Sequence, residues 1–185
     1  MRPNGSARIL VVDDQPIGQL VLQHLLGAHY EVVLAGDGEE ALARAKAAPA
    51  PDLILLDVMM PELDGFEVCR RLKASPATRD IPVLFLTELD NPSDEADGLA
   101  AGAEDFLHKP VTEPVVLARV RTHLRLSQAT RTLREHNQNL EAVVAARTEE
   151  VRRQARELVQ RTEQRNAAQG ATLTALCAQI GRAHV

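Results

Sequence analysis

Aromatic residues are nearly missing from this 185-residue chain: three Phe, one Tyr and no Trp make up 2% of it. Any core must therefore be built from Leu, Val, Ile and Ala, which the 45% hydrophobic content allows. Cysteine is as scarce. Cys69 and Cys177 are too few for a disulfide framework and have no metal-type spacing, which fits a reducing, cytoplasmic setting. No apolar run approaches the roughly 20 residues that span a bilayer, so no membrane association is expected. Residues 1–7 lack the apolar stretch of a secretory signal and read as a loose lead-in. A glycine-rich phosphate loop and a Ser/His/Asp arrangement are also missing. The six histidines (His24, His29, His108, His123, His136, His184) are scattered, with no His-x3-His pair. His136 lies on a helical stretch, REHNQNLEA, without the acidic-then-proline context of a kinase phosphohistidine.

Length bounds the chain to one ordinary domain plus an extension. The net charge of -5 hides an asymmetry. Residues 1–110 hold 9 Lys+Arg against 19 Asp+Glu, and residues 111–185 hold 12 against 7. An acidic front suggests a cation site. In the basic back, Arg alternates with Glu and Gln as on a solvated helix face, so DNA binding is not expected.

The front alternates short apolar runs with helix-period segments. Strands are expected at 8–12 (RILVV), 31–35 (EVVLA), 53–56 (LILL), 82–86 (PVLFL) and 105–107. Helices are expected at 17–26, at 38–47 after an Asp37-Gly38 turn, at 64–73, and at 92–101 with Gly102 as C-terminal cap. A fifth helix begins near Glu113. Alternating strands and helices imply parallel pairing with right-handed crossovers, and strands apolar on both faces fit a sheet covered on both sides. The fold class is α/β, a doubly wound five-stranded parallel sheet followed by a long C-terminal helix.

After Pro114 there is neither a proline nor a strand signal, and a continuous helix is expected from about Val115 to about Arg165. A heptad can be written there, with Thr130, Asn137, Val144, Val151 and Leu158 at a and Leu126, Leu133, Leu140, Arg147 and Gln154 at d. Val at a with Leu at d favours a parallel two-stranded coil, and Asn137 is a register-setting residue; Arg147 and Gln154 weaken the seam. From Leu126 to Leu158 the helix would run about 50 Å. A homodimer through this helix is expected; the alternative is a lone helix that packs on an absent domain.

Polar residues cluster at the strand ends. Asp13 and Asp14 follow the first strand, Asp57 the third, Thr87 the fourth and Lys109 the fifth. In a parallel sheet all these ends lie on one edge, where ligands bind. Three carboxylates repel one another unless a cation is present, and oxygen ligands suit a hard ion such as Mg2+. Asp57 can then serve as a carboxylate nucleophile toward phosphorus, with Lys109 and Thr87 on the phosphoryl oxygens.

The segments VVDDQP (11–16), LLDVMMPELDG (55–65), FLTE (85–88) and DFLHKP (105–110) resemble the motifs of response-regulator receivers over about residues 8–125. The resemblance implies a flavodoxin-like sheet of order 2-1-3-4-5, phosphorylation of Asp57 and a Mg2+ cofactor. It implies metal binding by Asp13 (mostly through water), Asp14, Asp57 and the backbone carbonyl of Met59. Thr87 and Lys109 would hold the phosphoryl group, with Phe106 as the switch aromatic. The Lys109–Pro110 bond would be cis, and Gly65 would sit in the turn after the third strand. The phosphodonor would be a histidine kinase or phosphotransfer protein, and the chain itself a switch, not an enzyme. Glu88 departs from the family pattern, which has a small residue there.

The domains expected are a receiver at 8–125, a coiled-coil signalling helix at 126–168, and the start of a truncated output domain or an artefactual tail at 169–185. VLARVRTHLRLSQ (116–128) and LEAVVAARTEEVRRQ (140–154) are similar to the helices that precede cyclic-dinucleotide output domains or sit in hybrid kinases. QGATLTALCA (169–178) resembles the opening of the output domain in regulators with an HD-GYP cyclic di-GMP phosphodiesterase. IGRAHV (180–185) coincides with one reading frame of a common sequencing-adapter oligonucleotide, from which the natural chain is expected to continue past Gln179; the alternative is a genuine short C-terminus. The alternatives for the parent are a phosphodiesterase regulator and a hybrid histidine kinase.

Overall fold

The computed structural model describes residues 7–88 and 98–182, with residues 167–182 as backbone only. The chain divides into two units, 1–131 and 132–185.

The first unit is built on five parallel strands: β1 (Arg8–Val12), β2 (Glu31–Ala35), β3 (Leu53–Asp57), β4 (Val83–Thr87) and β5 (Asp105–His108). Their order is β2-β1-β3-β4-β5, with Val12 beside Ala35 and Leu56, Asp57 beside Leu86, and Thr87 beside His108. Three described helices join them: α1 (Pro16–Gly27), α2 (Gly38–Lys46) and α3 (Gly65–Ala74). The C-terminal helix, Glu113–Arg182, follows. Residues 98–100 are helical, and Gly102 (φ 98°) donates its N–H to the Leu99 carbonyl. The rest of the expected fourth helix, 92–97, lies outside the described residues.

Alternation along the strands sorts the core into two layers. Leu10, Val12, Ile54, Leu56, Val83 and Phe85 face α2 and α3. Ile9, Val11, Leu53, Leu55, Leu84, Leu86 and Leu107 face α1 and the start of the C-terminal helix, where Val116 and Val120 are fully buried. Both faces of the sheet are covered, which is why the strands read as unbroken apolar runs.

Helix starts follow from their caps. Asp37 accepts the Glu40 N–H (2.7 Å) and Asp64 the Glu67 N–H (2.7 Å). Asp37 is thus the N-cap of α2 rather than a free turn. Glu39 and Glu40 in the first turn and Arg44 and Lys46 in the last complement the helix dipole. α1 instead begins on Pro16, whose missing N–H removes a donor that the first turn would leave unpaired. Pro114 stands in the same way at the start of the C-terminal helix.

Several boundaries differ from expectation. Asp57 and Thr87 are the last residues of their strands, not the first of the following loops. β4 starts at Val83 because Pro82 has no N–H for the ladder, although its carbonyl still accepts the Ile54 N–H. Gly65 is the first residue of α3 rather than part of a turn, and its N–H donates to the Val58 carbonyl. A Cβ at Gly65 would stand 2.2 Å from the Asp57 carbonyl oxygen, so the close packing of α3 on the end of β3 requires glycine.

The second unit, 132–185, is helical from its start through residue 182. Its backbone does not break at residue 169, where the sequence motif changes. The exposed faces carry intrahelical pairs, such as Arg147 with Glu150 (2.8 Å) and Arg156 with Glu149 (2.8 Å).

Candidate functional site

The edge of the sheet formed by the strand C-termini gathers the acidic residues. β1 ends at Val12, so Asp13 and Asp14 begin the loop that leads into α1. One carboxylate oxygen each from Asp13, Asp14 and Asp57 lies within 4.8 Å of the others. Asp13 and Asp57 are buried, and Asp14 is partly so. Lys109, just past β5, reaches across the sheet to them. Its Nζ donates to Asp57 Oδ2 (2.6 Å) and to Asp13 Oδ2 (3.0 Å).

The remaining carboxylate oxygens separate into satisfied and unsatisfied. Asp13 Oδ1 accepts the Gln15 N–H (2.8 Å), and Asp57 Oδ1 accepts the Met59 N–H (3.2 Å). Asp14 Oδ1 is buried and has no hydrogen-bond partner among the described residues. A buried carboxylate oxygen left over beside two other carboxylates is the donor set that a hard cation with oxygen ligands fits.

The charges do not balance by themselves. Three carboxylates face one ammonium. Burial pushes the Asp57 carboxyl above its usual range, against the hydrogen bond and charge of Lys109, and Asp13 adds to the push. Burial also works to lower Lys109, but bonds to both Asp57 and Asp13 outweigh it and hold the amine above its ordinary value. A second cation would complete the neutralisation.

Thr87 is buried at the end of β4, and its backbone carbonyl accepts the Lys109 N–H (2.8 Å), which ties the two loops together. The Lys109–Pro110 bond is cis. Met59 places its N–H on Asp57 and its side chain in solvent. Phe106 stands on β5 with its ring 5.6 Å from that of Phe85, and Phe85 in turn packs edge-on against Phe66. Glu88 is exposed.

Three residues of the site's support went unnoticed in the sequence, and Gly65 was read only as a turn residue. Gly18 leaves room for the Asp13 carboxylate: a Cβ there would lie 2.4 Å from Oδ2. Gln19 Nε2 donates to the Asp13 carbonyl (2.7 Å) and to that of Ala35 (3.2 Å), fixing the β1 loop to the end of β2. Gly65 abuts Asp57, and Gly98 lies where a Cβ would meet the Phe106 ring at 2.5 Å. A glycine inside a helical stripe, as at Gly18, is the one signal that marks such a contact in advance.

Asp105, at the start of β5, binds the C-terminal helix. Its Oδ2 accepts from Arg119 (2.8 Å) and pairs with His123 Nε2 (3.0 Å), while Oδ1 accepts the Phe106 N–H (2.9 Å). Burial works to raise its carboxyl, but these partners together hold it below the usual carboxylate value.

Comparison with known proteins agrees with this geometry. The response regulator receiver domain family matches residues 9–121. Response regulator PleD of Caulobacter vibrioides is 51% identical over 131 residues, covering 70% of this chain and 29% of PleD. A probable cyclic di-GMP phosphodiesterase of Vibrio cholerae is 39% identical over 153 residues, covering 83% of this chain and 34% of that protein. The chain thus spans less than half the length of either relative. Among solved structures, Vibrio cholerae chemotaxis protein CheY4 is similar with a TM-score of 0.61 and 35% identity, over 64% of this chain and 98% of that one. The receiver domain of sensor histidine kinase PA1611 from Pseudomonas aeruginosa, solved with a magnesium ion coordinated in its active site cleft, gives 0.60 and 30%, over 65% and 98%.

Proposed function

The chain belongs to the response regulator receiver family, and from that premise we propose that Asp57 accepts a phosphoryl group from the phosphohistidine of a histidine kinase or phosphotransfer protein. The observation that carries this reading is the bridge of Lys109 to Asp57 and Asp13 beside the unsatisfied Asp14 oxygen.

In the step itself, an Asp57 carboxylate oxygen attacks phosphorus and the phosphorus–nitrogen bond to the donor imidazole breaks. The electron pair stays on that nitrogen, and the product is an acyl phosphate. The Lys109 ammonium, 2.6 Å from Asp57 Oδ2, passes to a phosphoryl oxygen as charge moves outward. The Thr87 hydroxyl donates to another. Asp14, Asp57, the Met59 carbonyl and Asp13 would hold a Mg2+ ion, which would supply positive charge to offset the repulsion between the carboxylate and the phosphoryl oxygens. Positioning and neutralisation carry the chemistry, as is usual in phosphoryl transfer.

The engagement of Thr87 alters the packing of Phe106 on β5. The same strand carries Asp105, whose partners Arg119 and His123 lie on the C-terminal helix. The signal leaves through that helix, two copies of which associate through Leu126–Leu158 in the cytoplasm without DNA binding. The chain is a switch that assists its own phosphorylation.

The test is incubation with Mg2+ and acetyl phosphate, read by intact mass. Wild-type protein gains one phosphoryl group, Asp57→Ala gains none, and chelation of the metal slows the gain at least about 100-fold. Labelling that survives Asp57→Ala sinks the assignment.

A second reading concerns the parent protein. The similarity to the Vibrio cholerae phosphodiesterase runs over 83% of this chain, beyond the receiver family's limit at residue 121. On that ground the chain corresponds to the front of a cyclic di-GMP phosphodiesterase regulator of the HD-GYP kind. Reading the gene's 3′ end in source DNA decides it: codons for a metal-binding His-Asp pair soon after Gln179 support this parent, and a phosphohistidine box with an ATP-binding domain points to a hybrid kinase.

A further inference from the structure

Asp14 carries a buried carboxylate oxygen with no hydrogen-bond partner among the described residues. The backbone on either side sets where that oxygen stands. The peptide before Asp14 is tied through its carbonyl, that of Asp13, which accepts from Gln19 Nε2 (2.7 Å). The peptide after it is tied through its N–H, that of Gln15, which donates to Asp13 Oδ1 (2.8 Å). Peptide units are planar, so two tied planes leave Asp14 little freedom beyond its side-chain torsions.

The two ties differ in origin. The second lies within the acidic loop, where the Asp13 carboxylate bonds the backbone two residues on. The first comes from a side chain of α1. Gln19 Nε2 also donates to the Ala35 carbonyl (3.2 Å), so its amide nitrogen is engaged by two carbonyls at once. Only the nitrogen end of an amide can face two carbonyls, because the oxygen has no proton to give. Ala35 is a firm anchor. It is buried, it lies beside Val12 in the sheet, and its carbonyl also accepts the Asp13 N–H (3.2 Å). The clamp therefore ties the acidic loop to the sheet itself. Each polar group of Asp13 now has a partner: Ala35 on its N–H, Gln19 on its carbonyl, Gln15 on Oδ1 and Lys109 on Oδ2 (3.0 Å). The unpartnered oxygen is left on Asp14.

Resting on the reading of the acidic edge as a Mg2+ site for phosphoryl transfer, we infer that Gln19 is a positioning residue for that step: its amide clamps the Asp13–Asp14 peptide to the end of β2 and so holds Asp14 ready for a divalent cation. Gln19 touches neither the cation nor the phosphoryl group. Without its amide the Asp13–Asp14 peptide is free to turn, and binding of a cation has to order it again. The loss falls on cation affinity. Once the site is saturated the ligands are the same, and the chemical step is unchanged.

The experiment titrates Mg2+ into the full chain by calorimetry, for wild type, Gln19→Met, Gln19→Asn and Gln23→Met. Met matches Gln in length but has no donor, and Asn keeps the amide but is one methylene too short to span both carbonyls. Both should weaken Mg2+ binding about tenfold. Gln23 is exposed one turn further along α1, and its substitution should leave the affinity unchanged. With acetyl phosphate, read by intact mass, the Mg2+ concentration for half-maximal labelling should rise by the same factor in the two Gln19 variants, while the rate at saturating Mg2+ stays within about twofold of wild type. A merely structural role would lower Tm without moving the Mg2+ requirement. Wild-type Mg2+ affinity in Gln19→Met overturns the inference, as does wild-type affinity in Gln19→Asn, or a saturated rate that falls while the Mg2+ requirement stays put. If the wild type binds no Mg2+, the reading of the cation site fails, while amide exchange of the metal-free protein still decides the clamp: the Gln15 N–H should exchange several-fold faster in Gln19→Met, and equal exchange overturns it.

Discussion

The two units of this chain use apolar residues in opposite ways. In the first, Ile9, Leu10, Val11 and Val12 are all buried, and so are the four apolar residues of β3 and of β4. In the second, Leu133, Leu140, Val144, Val151 and Leu158 stand in solvent. The first unit closes its core with its own side chains on both faces of a sheet. The second is a helix whose apolar row finds no partner among the described residues. A sheet between two layers can satisfy itself, whereas a lone amphipathic helix draws its stability from what it packs against. The contrast separates a part whose stability is intrinsic from one whose stability belongs to an assembly.

The largest effect that would sharpen this contrast lies at glycines. Gly65→Val should destabilise the first unit by about 3 kcal/mol or more, because its Cβ would collide with backbone at 2.2 Å. Gly27→Ala, with nothing within 4 Å of its Cβ, should change stability by no more than about 0.5 kcal/mol. Urea denaturation of the two variants measures the gap. Next come the apolar side chains. Phe85→Ala should lose about 3–5 kcal/mol, whereas Leu140→Ala should leave the unfolding of the monomeric first unit within about 0.5 kcal/mol of wild type. Equal losses at the two sites would break the comparison.

The acidic site should respond to metal. A hundredfold excess of Mg2+ over its dissociation constant should stabilise the wild type by about 2.7 kcal/mol, and Asp14→Asn should lose most of that gain. Thermal melts with Mg2+ and with chelator read it directly. Without metal, the raised carboxyl of Asp57 has a defined sign. Its protonated form is favoured in the fold, so its contribution is present below the ordinary carboxylate value and is lost as pH rises through the folded one. Mg2+ should therefore stabilise more at pH 7 than at pH 4.

The smallest effect is at Asp105. Its carboxyl is held below the ordinary carboxylate value, so its contribution is present above that ordinary value and lost as pH falls through the folded one. Because the clasp is partly exposed, Asp105→Asn should remove about 0.5 kcal/mol at pH 6, and the difference should shrink as pH falls through the folded value. A pH-independent difference between the two proteins would remove the clasp from the account.

Much of this was legible in the chain because it follows from local rules. A β-branched run such as RILVV makes a strand, Asp37 and Asp64 stand where helix caps belong, and a parallel sheet brings its C-terminal ends to one edge. Asp13, Asp14, Asp57 and Lys109 could therefore be assembled from their places after, or at the end of, a strand. Gly18, Gly98 and Gln19 could not, and neither could the contact that Gly65 makes. Their roles are contacts with the carboxylate of Asp13, the backbone at Asp57, the ring of Phe106 and the carbonyls of Asp13 and Ala35. None of these partners is a sequence neighbour at helical or strand spacing.

By itself the sequence determined the strands, the helices, the chemistry of the acidic edge and the half-filled heptad, because backbone propensity and apolar period act over a few residues at a time. Only the tertiary structure decided that Lys109 is shared between two carboxylates, that one oxygen of Asp14 is left without a partner, and that Asp105 holds Arg119 and His123. Those facts depend on distances between side chains far apart in the chain, and such distances are set when the two layers close on the sheet.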